Sequence, residues 1–299
     1  MKSGFVGIIG RPNVGKSTLL NAILGEKIAI TTEKPQTTRN SIRGIHTRLN
    51  GDEKDCQLIF IDTPGIHKPR NKLGSCMTDM AIHTLKEVDV IFFLVDSPLD
   101  AGSGDQYILD MLKQTDTPKI LVINKIDKMP PDVFRRVYEE YRAMGLFDEV
   151  YGISALEGKN VDMLIEKAES MAEEGPMFFP EDMVTDHPER FLVSEIIREK
   201  MLLYLSDEVP HGVAVELESY KEGEKLTKIG AVIYCEKKSH KGIIIGKDGM
   251  KLKGIGKSAR LEIEALLGTK VFLELWVKVK ENWRNSDFLI SNFGYKQDE

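Results

Sequence analysis

The sequence predicts a two-part α/β chain, with a larger domain built on a mostly parallel sheet and a smaller α+β domain after it. Three observations carry this. Short apolar, β-branched runs alternate with helix-period segments from residue 4 to about 173. An acidic stretch with three prolines, EEGPMFFPEDMVTDHPER at 173–190, then breaks the pattern. Beyond it the order changes to helix, two strands, a basic segment, a helix and a last strand. A length of 299 residues suits two domains, and 41% hydrophobic with 29% charged residues is an ordinary globular composition.

In the first part, strands are expected at 5–10, 57–62, 89–96, 118–125 and 149–154. Helices are expected near 16–25, 74–86, 105–114, 131–144 and 158–173. SIRGIHTRLN at 41–50 is separated from the 57–62 strand by turn-like NGDEK at 50–54, so it should pair antiparallel at the edge of a six-stranded sheet. In the second part, 191–205 has helical spacing at Ile197, Met201 and Leu205. Strands follow at 212–220 and 226–238, a helix at 251–268, and a half-buried strand at 270–280 in which Val271, Leu273, Leu275 and Val277 alternate. The expected boundaries are 1–174, a linker at 175–190 whose acidity and length permit reorientation, and 191–299.

Three cysteines, Cys56, Cys76 and Cys235, without C-x-x-C spacing, argue against a disulfide framework and a thiolate zinc site. The strand pattern begins close to residue 1, and the longest apolar run, VIFFLV at 90–95, is too short to span a bilayer. The expected compartment is cytoplasmic. A formal net charge of −6 does not exclude a nucleic-acid partner, because 237–260 alone holds eight Lys or Arg and one acid.

GRPNVGKS at 10–17 follows an apolar strand and opens an apolar helix, the setting a phosphate-binding P-loop requires. Gly10 and Gly15 let the backbone wrap phosphates, and Arg11, Pro12, Asn13, Val14 and Thr18 complete the expected cradle. Lys16 supplies a cation to the β/γ-phosphates, and the Ser17 hydroxyl can ligate Mg²⁺. Asp62-Thr63-Pro64-Gly65 ends a strand, where the carboxylate can hold Mg²⁺ through water and the Gly65 N–H can sense a γ-phosphate. Asn124-Lys125-Ile126-Asp127 ends another. The Asp127 carboxylate can accept from the N1–H and N2 amine of guanine, donors that adenine lacks. Ser154-Ala155 ends a third and can offer a backbone N–H to the guanine O6. Each tetrapeptide is weak alone. All in order, at the C-terminal ends of strands, predict a P-loop GTPase domain.

These motifs, with KPQTTRN at 34–40, resemble the five signatures of the Era-type GTPases (the TrmE-Era-EngA-like group) over residues 4–173. The resemblance implies that Thr37-Thr38 is the switch segment, with Thr38 as Mg²⁺ ligand and γ-phosphate sensor. The group expected to act on the reacting phosphate is Lys16, Thr38, Gly65 and Asn13.

In Ras-like proteins a Gln near the Asp-x-x-Gly motif orients the attacking water. Here Ile66 and His67 follow Gly65. Isoleucine cannot polarise water, so either intrinsic hydrolysis is slow or another group positions the water. In similar GTPases an Asn at position 13 accompanies a potassium ion, which could stabilise developing charge. His67 as a base carries little weight, since a loop histidine is usually solvated.

The basic segment contains GIIIGKDGMKLKG at 242–254, without P-loop spacing. Its G-x-x-G at Gly246–Gly249, followed by a helix and flanked by two strands and one, resembles a type II KH domain of α-β-β-α-α-β order. There such a turn clamps single-stranded RNA. Gly246 and Gly249 allow close backbone approach, Lys247, Asp248, Lys251 and Lys253 surround it, and Ile243, Ile244 and Ile245 are expected to support a base groove. A GTPase domain linked to a C-terminal KH domain resembles the Era family over essentially the whole chain. That resemblance implies binding at the 3′ end of 16S rRNA, a role in 30S ribosomal subunit assembly, peripheral inner-membrane association and action as a monomer. Two rivals remain: an RNA chaperone with a structural nucleotide, and a GTP-dependent RNA-modifying enzyme, a class whose members carry a catalytic Cys, although Cys235 lies inside an expected strand and reads as a buried structural residue.

Overall fold

The computed structural model describes residues 1–34, 36–49, 51, 55–98, 103–206 and 209–296. The expected turn at 50–54, apart from Gly51, and Pro35 of KPQTTRN lie outside the described residues. The chain divides into two compact units. One comprises Met1–Ala29, Thr38–Arg70 and Gly74–Asp186; the other Ile30–Thr37, Asn71–Leu73 and His187–Glu299.

The first unit is built on β1 (Lys2–Gly10), β2 (Ile42–Arg48), β3 (Cys56–Asp62), β4 (Val90–Val95), β5 (Lys119–Ile123), β6 (Glu149–Gly152) and β7 (Glu173–Glu174). The order is β2-β3-β1-β4-β5-β6, parallel except for β2, which pairs antiparallel with β3 at the edge as expected. Every residue of β3, β4 and β5 is buried, the signature of strands covered on both faces. The helices are α1 (Lys16–Leu24), α2 (Lys72–Glu87), α3 (Ser103–Leu112), α4 (Pro131–Arg142) and α5 (Val161–Met171).

The expectation of six strands needs one correction. β7 adds a seventh, pairing antiparallel with Lys2 and Ser3 of β1. β4 pairs only with Val6–Gly10, so the start of β1 is left open for it.

The acidic stretch is also more ordered than a tether. The amide of Gln57, buried in β3, accepts from the N–H groups of Phe178 and Phe179 at 2.8 and 3.0 Å and donates to the Phe179 carbonyl at 2.9 Å. The Ile45 N–H of edge strand β2 donates to the Val184 carbonyl at 2.8 Å, and Arg43 meets Asp186 at 3.0 Å. The Phe178 ring packs against Phe5 with centroids 5.1 Å apart. Residues 176–186 therefore form a strap that satisfies an otherwise open sheet edge.

The second unit holds α6 (Glu189–Tyr204), β8 (Ala214–Lys221), β9 (Leu226–Cys235), α7 (Lys238–Ile245), α8 (Met250–Leu267), β10 (Lys270–Val279) and α9 (Asp287–Asn292). Its sheet runs β10-β9-β8, parallel between β10 and β9 and antiparallel between β8 and β9. Val193, Ile197 and Met201 of α6 and Ile255, Ala259 and Ile263 of α8 meet Ile229, Ala231 and Ile233 of β9 in one core. The i, i+4 spacing on the helices and i, i+2 spacing on the strand bring these residues to single faces. On β10, Val271 and Val277 face that core while Phe272 and Trp276 are exposed. Trp283, beyond the last expected strand, is fully buried, donates to the Gly212 carbonyl at 2.9 Å and stacks near Tyr295.

Candidate functional site

Three nucleotide-type motifs of the first unit converge at the C-terminal ends of β1, β3 and β5. Gly15, at φ 102°, caps α1 in a conformation that suits glycine, and a Cβ there would collide with the Asn124 amide. Lys16 is buried, and its ammonium donates to the carbonyls of Gly10 at 3.1 Å and Arg11 at 2.9 Å. Burial lowers its pKa to about 8, while the neighbouring Asp62 charge works in the opposite direction.

Ser17, Thr38 and Asp62 meet in one buried cluster. Ser17 Oγ donates to Asp62 Oδ2 at 2.6 Å and lies 2.8 Å from Thr38 Oγ1, which donates to the same carboxylate oxygen at 3.3 Å. Asp62 Oδ1 is buried and has no hydrogen-bond partner among the described residues. Burial raises the Asp62 carboxyl to about 6, against the pull of Lys16, Ser17 and Thr38. Thr63 Oγ1 donates to the Ile8 carbonyl at 2.9 Å, anchoring this turn to β1. A Cβ on Gly65 would stand 2.6 Å from the Pro12 nitrogen, so the two loops touch backbone to backbone. Thr37 is buried, its hydroxyl donating to the Lys34 carbonyl at 2.6 Å.

Asn124 is almost wholly buried. Its amide donates to the Val14 carbonyl at 2.8 Å and accepts from the Ala155 N–H at 3.0 Å, so it brackets the P-loop to the Ser154-Ala155 turn. Lys125 Nζ donates to the Asn13 carbonyl at 2.6 Å. Asp127 is exposed, as is Asn13, whereas Pro12 and Thr18 are half-buried and the Val14 side chain is buried.

Two features differ from the reading of the motifs. The Ser154 N–H donates to the Lys159 carbonyl at 3.1 Å and the Ala155 N–H is held by Asn124, so neither is a free donor for a base oxygen. Ile66 is fully buried in the core with Ile9, Ala81 and Leu85, and its N–H donates to the Gly10 carbonyl at 3.2 Å. His67 is half-buried instead of solvated, and burial holds its imidazole below the ordinary value and therefore neutral near pH 7.

In the second unit the basic segment is not a loop. Lys238–Ile245 form α7, which the α-β-β-α-α-β resemblance implied but periodicity alone did not announce, because the helix is short and contains Gly242. The turn at Gly246–Gly249 joins it to α8, with positive φ at Gly246 (73°), Asp248 (50°) and Gly249 (73°). A Cβ at Gly246 would stand 2.7 Å from Lys251 Cβ, whereas the space around Gly249 is open. Lys247, Asp248 and Lys253 are exposed, Lys251 is half-buried and Ile243 is exposed. Ile244 is fully buried in the core and Ile245 packs against it, which removes Ile244 from any surface groove. Cys235 is fully buried, and burial pushes its thiol above the ordinary value, so it lacks the exposure and thiolate character of a nucleophile.

A family model described as 50S ribosome-binding GTPase matches residues 5–125, and one described as KH domain matches 208–284. GTPase Era of Alkaliphilus oremlandii is 60% identical over 296 residues, covering 98% of this chain and 99% of its relative. The chain belongs to the Era GTPase family. Era of Clostridioides difficile is 55% identical over 297 residues, covering 98% of each chain. A crystal structure of an Aquifex aeolicus Era variant bound to GDP and AlF4⁻ is 41% identical, has a TM-score of 0.93 and covers 99% of this chain and 100% of its own. A second Era structure with the same TM-score of 0.93, identity of 41% and coverage of 99% and 100% is a complex with MgGDPNP and nucleotides 1506-1542 of 16S ribosomal RNA. The expected fold, a P-loop GTPase domain followed by a KH domain, is the observed one. As an Era-family member the protein is a GTPase, hydrolysing GTP to GDP and phosphate.

Motif reading passed over three residues that shape this Era-family site. Asp96, directly after β4, pairs with Lys125 at 2.6 Å and with Arg11 at 3.3 Å. Ser97 accepts from Arg11 at 2.7 Å, and Asp105, buried in α3, lies 2.8 Å from the same guanidinium. The only sequence signal for Asp96 is its position at a strand C-terminus beside the nucleotide motifs.

Proposed function

We propose that this GTPase is a nucleotide-controlled RNA-binding factor that takes single-stranded RNA at the 3′ end of 16S rRNA and assists assembly of the 30S subunit. The observation that carries the RNA reading is the Gly246–Gly249 turn between α7 and α8, set among eight basic residues in a segment with one acid. Exposed lysines, Lys247 and Lys253, beside a glycine turn at a helix start suit backbone phosphates. The relative solved with a 16S rRNA fragment supports the same choice of RNA.

In the nucleotide site, Lys16 is held by two carbonyls that phosphate oxygens would replace as partners. Ser17, Thr38 and Asp62 fit a Mg²⁺ ion: three clustered oxygens face one another, and a buried carboxylate oxygen lacks a partner. When bound, the ion neutralises charge on the phosphate oxygens. Asp127 supplies the guanine-selective carboxylate, and guanine O6 would have to share the Ala155 N–H with Asn124. Gly65 brings the Asp62 turn against the P-loop, so its N–H is the γ-phosphate sensor of this reading.

With Ile66 buried, no side chain at that position orients water, and a slow intrinsic rate follows. A potassium ion at Asn13 would compensate in part. The protein acts as a monomer. Peripheral membrane association rests on the family resemblance alone; no helix among the described residues is long and apolar enough to cross a membrane.

The test is the affinity for a short single-stranded RNA of the 16S 3′ end with a non-hydrolysable GTP analogue and with GDP, at fixed salt. Tighter binding in one nucleotide state, lost in Gly249→Asp and weakening steeply with salt, is expected. Equal binding in both states would refute nucleotide control, and binding unaffected by Gly249→Asp would refute the use of this turn.

A further inference from the structure

The P-loop arginine and the lysine of the NKID motif meet on a single carboxylate. Asp96 accepts from Lys125 Nζ at 2.6 Å through Oδ2 and from Arg11 Nη2 at 3.3 Å through Oδ1. Lys125 then returns to the P-loop, donating to the Asn13 carbonyl at 2.6 Å. Asn13 itself sits at φ 66°, a left-handed conformation that asparagine adopts more readily than other side-chain-bearing residues, and the Lys125 ammonium on its carbonyl fixes the orientation of that peptide. On the far side of Arg11, Nε lies 2.8 Å from Asp105 Oδ1, and Asp105 is fully buried. A Cβ at the adjacent Gly104 would stand 2.7 Å from Arg11 Cδ, so α3 packs directly along the arginine stem.

A buried carboxylate is costly unless a cation offsets it. Asp105 therefore dictates where the Arg11 guanidinium rests, burial pushing its carboxyl up and Arg11 drawing it back down. Ser97 Oγ, accepting from Arg11 Nη2 at 2.7 Å, completes the arginine's seat. The result is a closed circuit from Arg11 of the P-loop through Asp96 and Lys125 back to the Asn13 carbonyl, with Asp105 of α3 holding Arg11 from outside it.

We propose that Asp105, Arg11 and Asp96 are positioning residues for nucleotide retention, which hold Lys125 and the Asn13 backbone in their binding geometry. Their role is exerted through Lys125, and none of the three needs to touch the base. The inference rests on the guanine-nucleotide reading of this site, and the wild-type protein tests that reading separately. If the wild type fails to bind fluorescent GDP, the reading fails. If it binds and the variants release nucleotide as the wild type does, this inference alone fails.

The experiment is stopped-flow release of fluorescent GDP from the full chain, with steady-state hydrolysis alongside. Asp96→Asn is expected to speed release about tenfold, the effect of one charge-assisted hydrogen bond, and to raise KM while kcat stays within about twofold. The decisive comparison is the cycle with Lys125→Ala. If Asp96 acts through Lys125, the double variant releases GDP no faster than Lys125→Ala alone. A merely structural role would leave the two effects additive. Asp105→Asn keeps the shape and withdraws the charge, and should shift release in the same direction. Asp110→Asn on the exposed side of α3, where the carboxylate meets Gln106 and Lys113, should change nothing. Release from Asp96→Asn within twofold of wild type, or additivity with Lys125→Ala, would overturn the proposal. The Asp96 cycle decides the matter even if Asp105→Asn fails to fold.

Discussion

Replacing Ile66 by glutamine looks, on motif grounds alone, like restoring a water-orienting group. The structure predicts damage instead. The Ile66 side chain is fully buried with Ile9, Ala81 and Leu85, and its N–H is bound to the Gly10 carbonyl at 3.2 Å. Removing a buried isoleucine loses about 1.5–3 kcal/mol of transfer free energy. An amide in the same apolar site without partners costs about 1–3 kcal/mol more. The sum, about 2.5–6 kcal/mol, corresponds to a fall of about 5–24 °C in the melting of the first unit, at roughly 2–4 °C per kcal/mol. Ile66→Val, which loses only one methylene, should cost about 0.5–1.5 kcal/mol. Thermal unfolding of the three proteins measures the cost, and phosphate release at saturating GTP, well below the melting point, measures the chemistry. The expected outcome is a graded loss of stability without any gain in kcat. An Ile66→Gln protein that hydrolyses GTP faster and melts where the wild type does would refute the argument, because its side chain would have to reach the γ-phosphate.

Two further predictions follow from the same site. Nucleotide affinity in Mg²⁺ should be greatest between about pH 6 and pH 8, because Asp62 titrates at about 6 and Lys16 at about 8 in the free site. Below pH 6 a proton must leave Asp62 for the ion to bind, and above pH 8 one must be taken up by Lys16, so affinity falls on both sides by up to about tenfold per pH unit; a titration calorimetry series flat from pH 5 to pH 9 would contradict this. If an ion at Asn13 assists the chemistry, hydrolysis in potassium should exceed that in sodium at equal ionic strength, and Asn13→Ala should remove the difference; equal rates for the wild type would exclude the ion.

The phosphate-binding loop and the order of strands and helices were legible because both are local. Glycine spacing, an apolar run before and an apolar helix after need only neighbouring residues, and Gly15 occupies the left-handed position its motif implies. The alternation in β10 and the spacing of Ile197 and Met201 likewise matched the core they entered. What escaped was set by distant partners. The strap at 176–186 reads as a solvated linker until the buried Gln57 in β3, more than a hundred residues earlier in the chain, is seen to take its amides. Asn124 stands in the same motif as the guanine-selective Asp127 with no role of its own in the sequence, and only the fold shows its amide joining Val14 to Ala155. Ile244 looks like one wall of a groove in a run of three isoleucines, and only helix geometry decides that it points into the core while Ile243 is exposed.

Taken alone, the amino-acid order determined the chemistry on offer: a phosphate cradle, a magnesium-type oxygen set, a guanine-selective carboxylate and a basic glycine turn. The cradle, the guanine-selective tetrapeptide and the glycine turn depend on residues close together in the chain, where spacing constrains backbone conformation directly, whereas the oxygen set of Ser17, Thr38 and Asp62 joins separate motifs. Only the tertiary structure decided which of those groups are free to act. Burial withdraws Ile66 and Cys235 from chemistry, internal hydrogen bonds occupy the N–H groups of Ser154 and Ala155, and Asp105 fixes Arg11. The physical reason is that desolvation and charge pairing depend on every neighbour in space, and a sequence states only the neighbours along the chain.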